Sequence, residues 1–238
     1  MSDLLSIGSG AAHLYRQALA TVSNNIANLN TDGYSRQDVS MAQNNPSQKG
    51  TMFLGTGARV EGVSRAYDEF VENSLRDSGS KYSTQAPIIE YAIRVVDLLG
   101  SESSGLSNVL DKFFTSAHEL STNAASTTHR TVFLRDADSV ADRFRELSTH
   151  LDSLDLTVQE NIKYQVDAIN NYAEKLLAVN KQLGRKTESS QQSPALMDER
   201  DKLLRELSNV AKINVLEDQS GQVTVSLDGG NSQSAIVR

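Results

Sequence analysis

Apolar residues near the start of the chain recur in steps of three and four, as they do along one side of an α-helix. This pattern predicts a helix over residues 4–29. The predicted packing seam of the helix comprises Leu4, Ile7, Ala11, Leu14, Ala18, Leu19, Val22, Ile26 and Leu29. The seam combines two adjacent apolar stripes, so it is wider than one neighbouring helix would cover. We therefore expect two or more neighbours, either inside an assembly or in an ordinary bundle.

An asparagine-rich stretch follows the apolar part of this helix. Its short polar side chains are Asn24, Asn25, Asn28, Asn30 and Asp32. Asn and Asp compete with the helical backbone for hydrogen bonds, so they favour helix ends and turns. The next residue, Gly33, can adopt a positive φ without steric cost. The sequence therefore predicts that the first helix ends here and that the chain turns back.

Residues 37–63 contain several glycines and only weak alternation of apolar and polar positions. This composition predicts a loop with one or two short strands. Connections of this length are often functional.

Helical spacing returns near residue 64 and continues to about residue 211. We expect a kink or a break at Pro87, and polar turns over residues 100–105 and 184–194. The longest predicted helix has no Pro or Gly over residues 131–183. At 1.5 Å per residue it would be about 80 Å long.

The longest helix carries an apolar stripe with steps of four and three, interrupted by one stutter. The stripe comprises Phe133, Ala137, Val140, Phe144, Leu147, Leu151, Leu154, Val158, Ile162, Val166, Ile169, Ala173 and Leu176. Such a stripe predicts packing along most of the helix, and the stutter locally unwinds a supercoil.

After Lys212 the pattern changes to strands, over residues 213–215 and 223–227, followed by a turn at 228–230. A single hairpin is marginal by itself, so we expect the chain to be a fragment of a longer protein.

The predicted fold class is mainly α, with an N-terminal assembly helix, an elongated antiparallel helical bundle containing one very long helix, and the start of a β region. The expected domain boundaries are 1–36 for the assembly helix and turn, 37–63 for the loop with short strands, 64–211 for the bundle and 212–238 for the β region.

Composition narrows the function classes. The formal charge of −7 does not provide the basic surface that most nucleic-acid binding needs, so nucleic acid is not an expected partner. No run approaches the roughly 18 apolar residues of a membrane helix, so no membrane insertion is expected. The N-terminus lacks the basic and apolar regions of a cleaved secretory signal. The absence of cysteine excludes disulfides, thiol catalysis and thiolate metal sites.

No catalytic, cofactor or metal site is predicted. Asp198 and Glu199 lie beside Arg200 and Lys202, and this mixture predicts a solvated helix face rather than an acid pair in a cleft. The glycines at 55–57 lack the third glycine of a dinucleotide loop. The histidines do not have the spacing of a helical metal site. They are His13, His118, His129 and His150.

The asparagine-rich stretch resembles the N-terminal motif of the bacterial flagellar axial proteins, which form the rod, the hook and the hook-associated structures. The residues that carry the resemblance are Asn24, Asn25, Ile26, Ala27, Asn28, Thr31, Gly33, Tyr34 and Arg36. Residues 33–37, 55–76 and 196–203 also resemble the members of the family found at the hook–filament junction. One departure is Asp32, where the family often has proline.

The resemblance implies a structural role and no enzymatic activity or cofactor. Junction proteins of this family are exported through the flagellar type III apparatus and self-assemble as a ring at the distal end of the hook. The implied partners are further copies of the chain, the hook protein, a second junction protein towards the filament, the export apparatus and an export chaperone. The implied location is the extracellular flagellum.

The resemblance also implies how the assembly part is built. Family members pair the N-terminal helix with a C-terminal helix that has no counterpart in this sequence. We expect that residues 1–60 need partners to become ordered. We also expect Asn25, Gly33, Tyr34 and Arg36 to set the geometry of the turn and its contacts with neighbouring subunits.

Three other interpretations remain open at this point. Another axial protein, such as the hook protein or a distal rod protein, would not need a helical bundle as long as residues 64–211. A secreted coiled-coil binding module would not need the asparagine-rich turn. An enzyme such as a cell-wall hydrolase would need a carboxylate or metal site.

Overall fold

The computed structural model describes residues 2–100, 105–186, 192–227 and 235–237, and it confirms a mainly α chain with one very long helix and a C-terminal β region. The helices are α1 (Ser2–Ala27), α2 (Glu69–Gly100), α3 (Leu106–Thr122), α4 (Thr127–Leu183) and α5 (Pro194–Ser208). The strands are β1 (Gln37–Gln43), β2 (Ser47–Lys49), β3 (Met52–Leu54), β4 (Ala58–Arg65), β5 (Ile213–Glu217), β6 (Val223–Leu227) and β7 (Ala235–Val237). The turns predicted around 101–104, 187–191 and 228–230 lie outside the described residues.

The chain forms two compact units. The first contains Met1–Lys81 and Ile169–Arg238, and the second contains Tyr82–Ala168. The boundaries between the units fall inside α2 and α4, so each of these helices has one part in the first unit and one part in the second. Within the ranges that the structure describes, no helix is both long and apolar enough to cross a membrane.

In the first unit, α1 packs against an antiparallel pair formed by β1 and β4. A second antiparallel pair, β2 and β3, is formed by the segment between β1 and β4. The prediction of a loop with one or two short strands over 37–63 is therefore wrong, because four strands occupy most of this segment. Side chains on both faces of these two-stranded ribbons are exposed or only half-buried, so the sequence lacks the strong alternation of a sheet covered on one face.

The core of the first unit lies between α4, α5 and the C-terminal sheet. The sheet has the antiparallel order β5-β6-β7. Six buried apolar residues pack together between the helices and the sheet: Leu176, Leu204, Leu207, Val223, Val225 and Val237. Asn180 of α4 donates to the backbone oxygen of Val223 at 2.7 Å and accepts from its nitrogen at 3.0 Å. The C-terminal hairpin thus has a packing partner in this chain and does not stand alone.

In the second unit, α2 continues through Pro87, so the break considered there does not occur. The rings of Phe113 and Phe133 lie 5.2 Å apart and join α3 to α4. Arg143 of α4 donates to the backbone oxygen of Leu98 of α2 at 2.9 Å. These contacts connect the three helical segments of this unit.

The apolar stripe of α4 is only partly covered. Phe144, Leu151, Ile162 and Val166 are between 44% and 55% exposed, although their spacing predicted packing. Ile162 and Val166 are the residues at the predicted stutter. Periodicity identifies the side of a helix that is apolar, but it does not establish that a neighbour within the same chain covers that side.

Candidate assembly site

Asn25 connects the end of α1 to the start of β1. Its Oδ1 accepts from the Gln37 backbone nitrogen at 2.9 Å, and its Nδ2 donates to the Gln37 oxygen at 2.8 Å. A side-chain amide carries a donor and an acceptor side by side, so it pairs with both backbone groups of one residue. The Tyr34 hydroxyl adds a third hydrogen bond by donating to Asn25 Oδ1 at 2.7 Å. Asn25 therefore fixes both the turn and the first residue of β1.

The other polar residues of the motif bond with one another at the carboxyl end of α1. Asn28 Nδ2 donates to the Asn24 backbone oxygen at 3.0 Å and to Asn24 Oδ1 at 2.9 Å. Thr31 Oγ1 donates to Asn28 Oδ1 at 3.2 Å, and Asn24 Nδ2 donates to the Tyr34 hydroxyl at 3.3 Å. The Asn24 backbone oxygen also accepts from the Asn28 backbone nitrogen at 3.0 Å, so the Asn28 side chain adds a second hydrogen bond to this carbonyl group.

Gly33 occupies a position that favours glycine for two reasons. Its φ is +83°, which L-residues with a Cβ rarely adopt. A Cβ built on Gly33 would also lie 3.0 Å from Cδ of Lys202 on α5. Beside it, Asp32 pairs with Lys202 Nζ at 3.2 Å. The turn thus lies directly against α5.

Tyr34 is half-buried and lies close enough to Asp198 to be affected by its charge. Burial and the negative charge of Asp198 both raise the pKa of the phenol above its usual value of 10.0. The raised pKa favours the neutral phenol, which is the form that donates to Asn25.

Three charged residues of α5 are buried, so the predicted solvated helix face is wrong for Asp198 and Arg200. Asp198, Arg200 and Asp201 are 7%, 0% and 3% exposed. Asp198 Oδ2 accepts from the backbone nitrogen of Ser35 at 3.0 Å, and its Oδ1 accepts from Arg65 Nη1 at 3.2 Å. Glu199 faces solvent and the Lys202 side chain is 45% exposed, a division that the alternation of charges in the sequence did not indicate.

Arg65, at the end of β4, is shared between two carboxylates of α5. Its Nη1 also lies 2.5 Å from Asp201 Oδ2. The guanidinium group stacks over the ring of Tyr67, with its carbon 4.1 Å from the ring centroid. The side chain is only 10% exposed, so these contacts are made in a largely dry environment.

Arg200 extends the charged cluster to the C-terminal sheet. Its Nε and Nη2 donate to Asp201 Oδ1 at 2.9 and 2.7 Å, and its Nη1 donates to the Gly221 oxygen at 2.7 Å. Nη1 also pairs with Glu217 of β5 at 2.7 Å. Burial lowers the pKa of Arg200, but the two carboxylates outweigh burial and the net shift is upward. The guanidinium group therefore remains charged although it is fully buried.

The predicted seam of α1 divides into a covered side and an exposed side. Leu14 is buried, and Ile7, Ala11 and Ala18 are half-buried on the side that packs against the strands. The exposed apolar members are Leu4, Leu19, Val22, Ile26 and Leu29, at 51% to 80% exposure, and Tyr15 beside them is 64% exposed. The β1 and β4 strands thus cover most of the first stripe, from Ile7 to Ala18, but not Leu4. The second stripe, which comprises Tyr15, Leu19, Val22, Ile26 and Leu29, remains open in this chain.

Arg36 and Ala27 do not join the turn through their side chains. Both are exposed, and Arg36 makes a surface ion pair with Asp38 at 3.2 Å. Only the Arg36 backbone oxygen contributes, by accepting from the nitrogen of Ala66 at 2.7 Å.

Three residues of the site were not identified from the sequence as contacts of the turn: Arg65, Asp198 and Lys202. The available signal was the spacing of Asp198 and Asp201, which places two carboxylates on the same face of a helix. Among the residues that the structure describes, no group of three or more His, Asp or Glu side chains is arranged to hold a metal ion.

Comparison with known proteins first defines the class of the N-terminal element. Residues 5–34, which contain most of α1 and of the turn, match the flagella basal body rod protein family. Residues 92–237 match the helical domain of the flagellar hook-associated protein FlgK. The chain belongs to this hook-associated family, which confirms the resemblance found in the sequence.

Individual relatives agree with this assignment. The chain is 33% identical to flagellar hook-associated protein 1 of Salmonella typhimurium over 232 residues, which cover 97% of this chain and 42% of the relative. It is 31% identical to the protein of the same name from Bacillus subtilis over 214 residues, covering 86% and 42%. The chain therefore spans about two fifths of the length of these relatives.

A solved structure supports the fold. The flagellar hook junction protein FlgK from Burkholderia pseudomallei superimposes with a TM-score of 0.60 at 22% sequence identity. The match covers 70% of this chain and 29% of that protein.

Proposed function

We propose that this chain is part of a structural protein that self-assembles at the distal end of the flagellar hook and joins the hook to the filament. Membership of the hook-associated family supports the proposal. The names of two relatives, "flagellar hook-associated protein 1" and "flagellar hook junction protein", both refer to the hook, and the second refers to its junction.

The observation that carries the proposal is the exposed apolar stripe of α1 beside a fixed turn. Leu19, Val22 and Ile26 of α1, and Leu29 just after the helix, are each more than half exposed, and the predicted helix to residue 29 ends at Ala27. Burying one such side chain against a neighbour contributes about 1.5–3 kcal/mol. A contiguous exposed apolar surface of this kind is typical of an interaction site. Neighbouring subunits in a ring would cover it.

The proposed partners are other copies of the protein, the hook protein, a second junction protein towards the filament, the type III export apparatus and an export chaperone. The proposed location is the extracellular flagellum, after secretion. In this proposal residues 1–36 provide the assembly contacts, 37–63 support them, 64–211 form the rigid bundle and 212–238 begin a β domain. The role is mechanical, without enzymatic activity, cofactor, nucleic acid or membrane insertion.

A second candidate is another axial protein of the rod or hook. The N-terminal match over residues 5–34 is compatible with that role. The match to the FlgK helical domain over residues 92–237 favours the junction, because it covers the helical region that distinguishes the two candidates.

Electron microscopy of cells that lack the gene tests the proposal. We expect complete hooks without filaments, together with filament subunits released into the medium. Cells with normal filaments would contradict the junction role, and cells without hooks would favour the rod or hook alternative. Restoring the gene provides the control for effects on neighbouring genes.

A further inference from the structure

One buried carboxylate connects three separate parts of the first unit. Asp198 is 7% exposed, and its two oxygens have different partners. Oδ2 binds the backbone of Ser35 in the turn, 163 residues away in the sequence. Oδ1 binds Arg65 at the end of β4, 133 residues away. The carboxylate thus holds the turn and the end of β4 on α5.

The surroundings of Asp198 make this connection rigid. Arg65 is held on its other side by Asp201 and over the ring of Tyr67. Asp201 is in turn bound by the fully buried Arg200, which reaches the C-terminal sheet. Hydrogen bonds between charged and neutral groups are stronger in a dry environment than in water. The turn is therefore anchored to the core of the unit and not only to its surface.

The exposed stripe of α1 is attached to this anchor by a short path. Asn25 lies in the last turn of α1, and it bonds to Tyr34 and Gln37 on either side of Ser35. Any movement of the Ser35 backbone away from α5 would move the partners of Asn25 with it. The direction of α1 is thus coupled to the contact between Ser35 and Asp198.

We infer that Asp198 is a positioning residue, which fixes the turn and the exposed face of α1 before any neighbouring subunit binds. This inference rests on the proposed function, in which that face is the assembly surface. A surface held in its binding orientation loses less conformational entropy on association than a mobile one. Asp198 then controls the efficiency of assembly without contacting a neighbour itself.

The first measurement is amide hydrogen exchange of the unassembled wild-type protein, followed by NMR. We expect the Ser35 amide to be protected, although Ser35 lies in a turn. An unprotected Ser35 amide in the wild type would overturn the inference without any variant.

The second measurement compares Asp198→Asn with Glu199→Gln, in which a neighbouring exposed carboxylate is neutralised in the same way. We expect Ser35 to exchange roughly tenfold faster in Asp198→Asn and at the wild-type rate in Glu199→Gln. The amides of Val223 and Val225 in β6 report whether the core remains folded. Equal exchange of Ser35 in both variants would overturn the inference.

The third measurement links the anchor to assembly. Each variant is introduced into the chromosomal gene, and hooks that carry filaments are counted by electron microscopy. Relative to the wild type, we expect a several-fold loss of filaments for Asp198→Asn, a smaller loss for Asp198→Glu, and no loss for Glu199→Gln. A loosened Ser35 with normal filament numbers would overturn the positioning role. If gene deletion leaves filaments normal, the proposed function fails, whereas the exchange results would still describe the anchor.

Discussion

The backbone nitrogen of Ser35 donates to the carboxylate of Asp198 across 3.0 Å, and this bond attaches the asparagine-rich turn to α5. The sequence indicated a boundary at this turn, between a part that folds alone and a part that becomes ordered on assembly. That expectation stays a prediction, and the structure shows which contacts the chain supplies itself. The turn is bound by its own chain, and the side of α1 that faces β1 and β4 is covered. What remains open for neighbours is the second apolar stripe of α1.

Replacing Gly33 with valine should impair junction assembly without unfolding the core. A positive φ costs a residue with a Cβ about 1–2 kcal/mol, and the added Cβ would press on Lys202. We expect fewer filaments by electron microscopy and a melting temperature of the helical core close to that of the wild type. Gly55→Val is the control, because nothing lies within 4 Å of a Cβ at Gly55. Normal filaments in Gly33→Val cells would show that the turn has no such role.

Replacing Asn25 with aspartate should loosen the junction between α1 and β1. The change removes the donor to the Gln37 oxygen and places a second acceptor against it. We expect a loss of about 1–3 kcal/mol, read from faster exchange of the Gln37 amide and from urea unfolding. Asn30→Asp adds the same charge at an exposed residue of the turn and should change stability by less than about 0.5 kcal/mol. Equal effects of the two changes would contradict the role of Asn25.

Local patterns predicted the helices well and the charged cluster badly. The absence of Pro and Gly identified the long helix, and the observed α4 begins only four residues before the predicted span and ends with it. The residues Asn25 and Gly33 were identified because their chemistry is local. Asp198 and Arg65 are 133 residues apart, and a charged pair on a helix resembles a solvated face until its partner is known.

The apolar stripes show a second limit of the sequence. Spacing identified both stripes of α1 and the stripe of α4. It could not indicate that strands cover the first stripe of α1, or that Phe144 and Ile162 of α4 remain more than half exposed. Coverage depends on which neighbour is present, and that is a property of the tertiary structure or of the assembly.

Removing Arg200 should destabilise the first unit strongly. Arg200→Met leaves Glu217 and the Gly221 oxygen without this donor and removes one of the two guanidinium groups at Asp201. Breaking a buried ion pair from one side costs about 3–5 kcal/mol.

Urea unfolding measures this change, with Arg36→Met as the matched control. Arg36 pairs with Asp38 on the surface, and the Arg36 side chain is 70% exposed. Loss of this ion pair should therefore lower the free energy of unfolding by only about 0–1 kcal/mol. If the two variants unfold at the same urea concentration, the buried cluster does not stabilise the fold as described.

Tyr34 should ionise above the usual tyrosine range. Burial and Asp198 raise its pKa in the folded protein above 10.0, so folding disfavours the phenolate. The resulting stability is present below about pH 10 and is lost as the pH rises through the folded pKa. The ultraviolet titration of the wild type minus that of Tyr34→Phe isolates this phenol among the seven tyrosines. A midpoint at or below 10.0 would contradict the described surroundings of Tyr34.

The position of the protein in the flagellum tests the central claim most directly. Purified flagella with attached hooks are labelled with gold-conjugated antibodies against this chain and examined by electron microscopy. The proposed function predicts a narrow band of label at the boundary between hook and filament, absent from cells that lack the gene. Label along the rod, the hook or the filament, with none at that boundary, would contradict it.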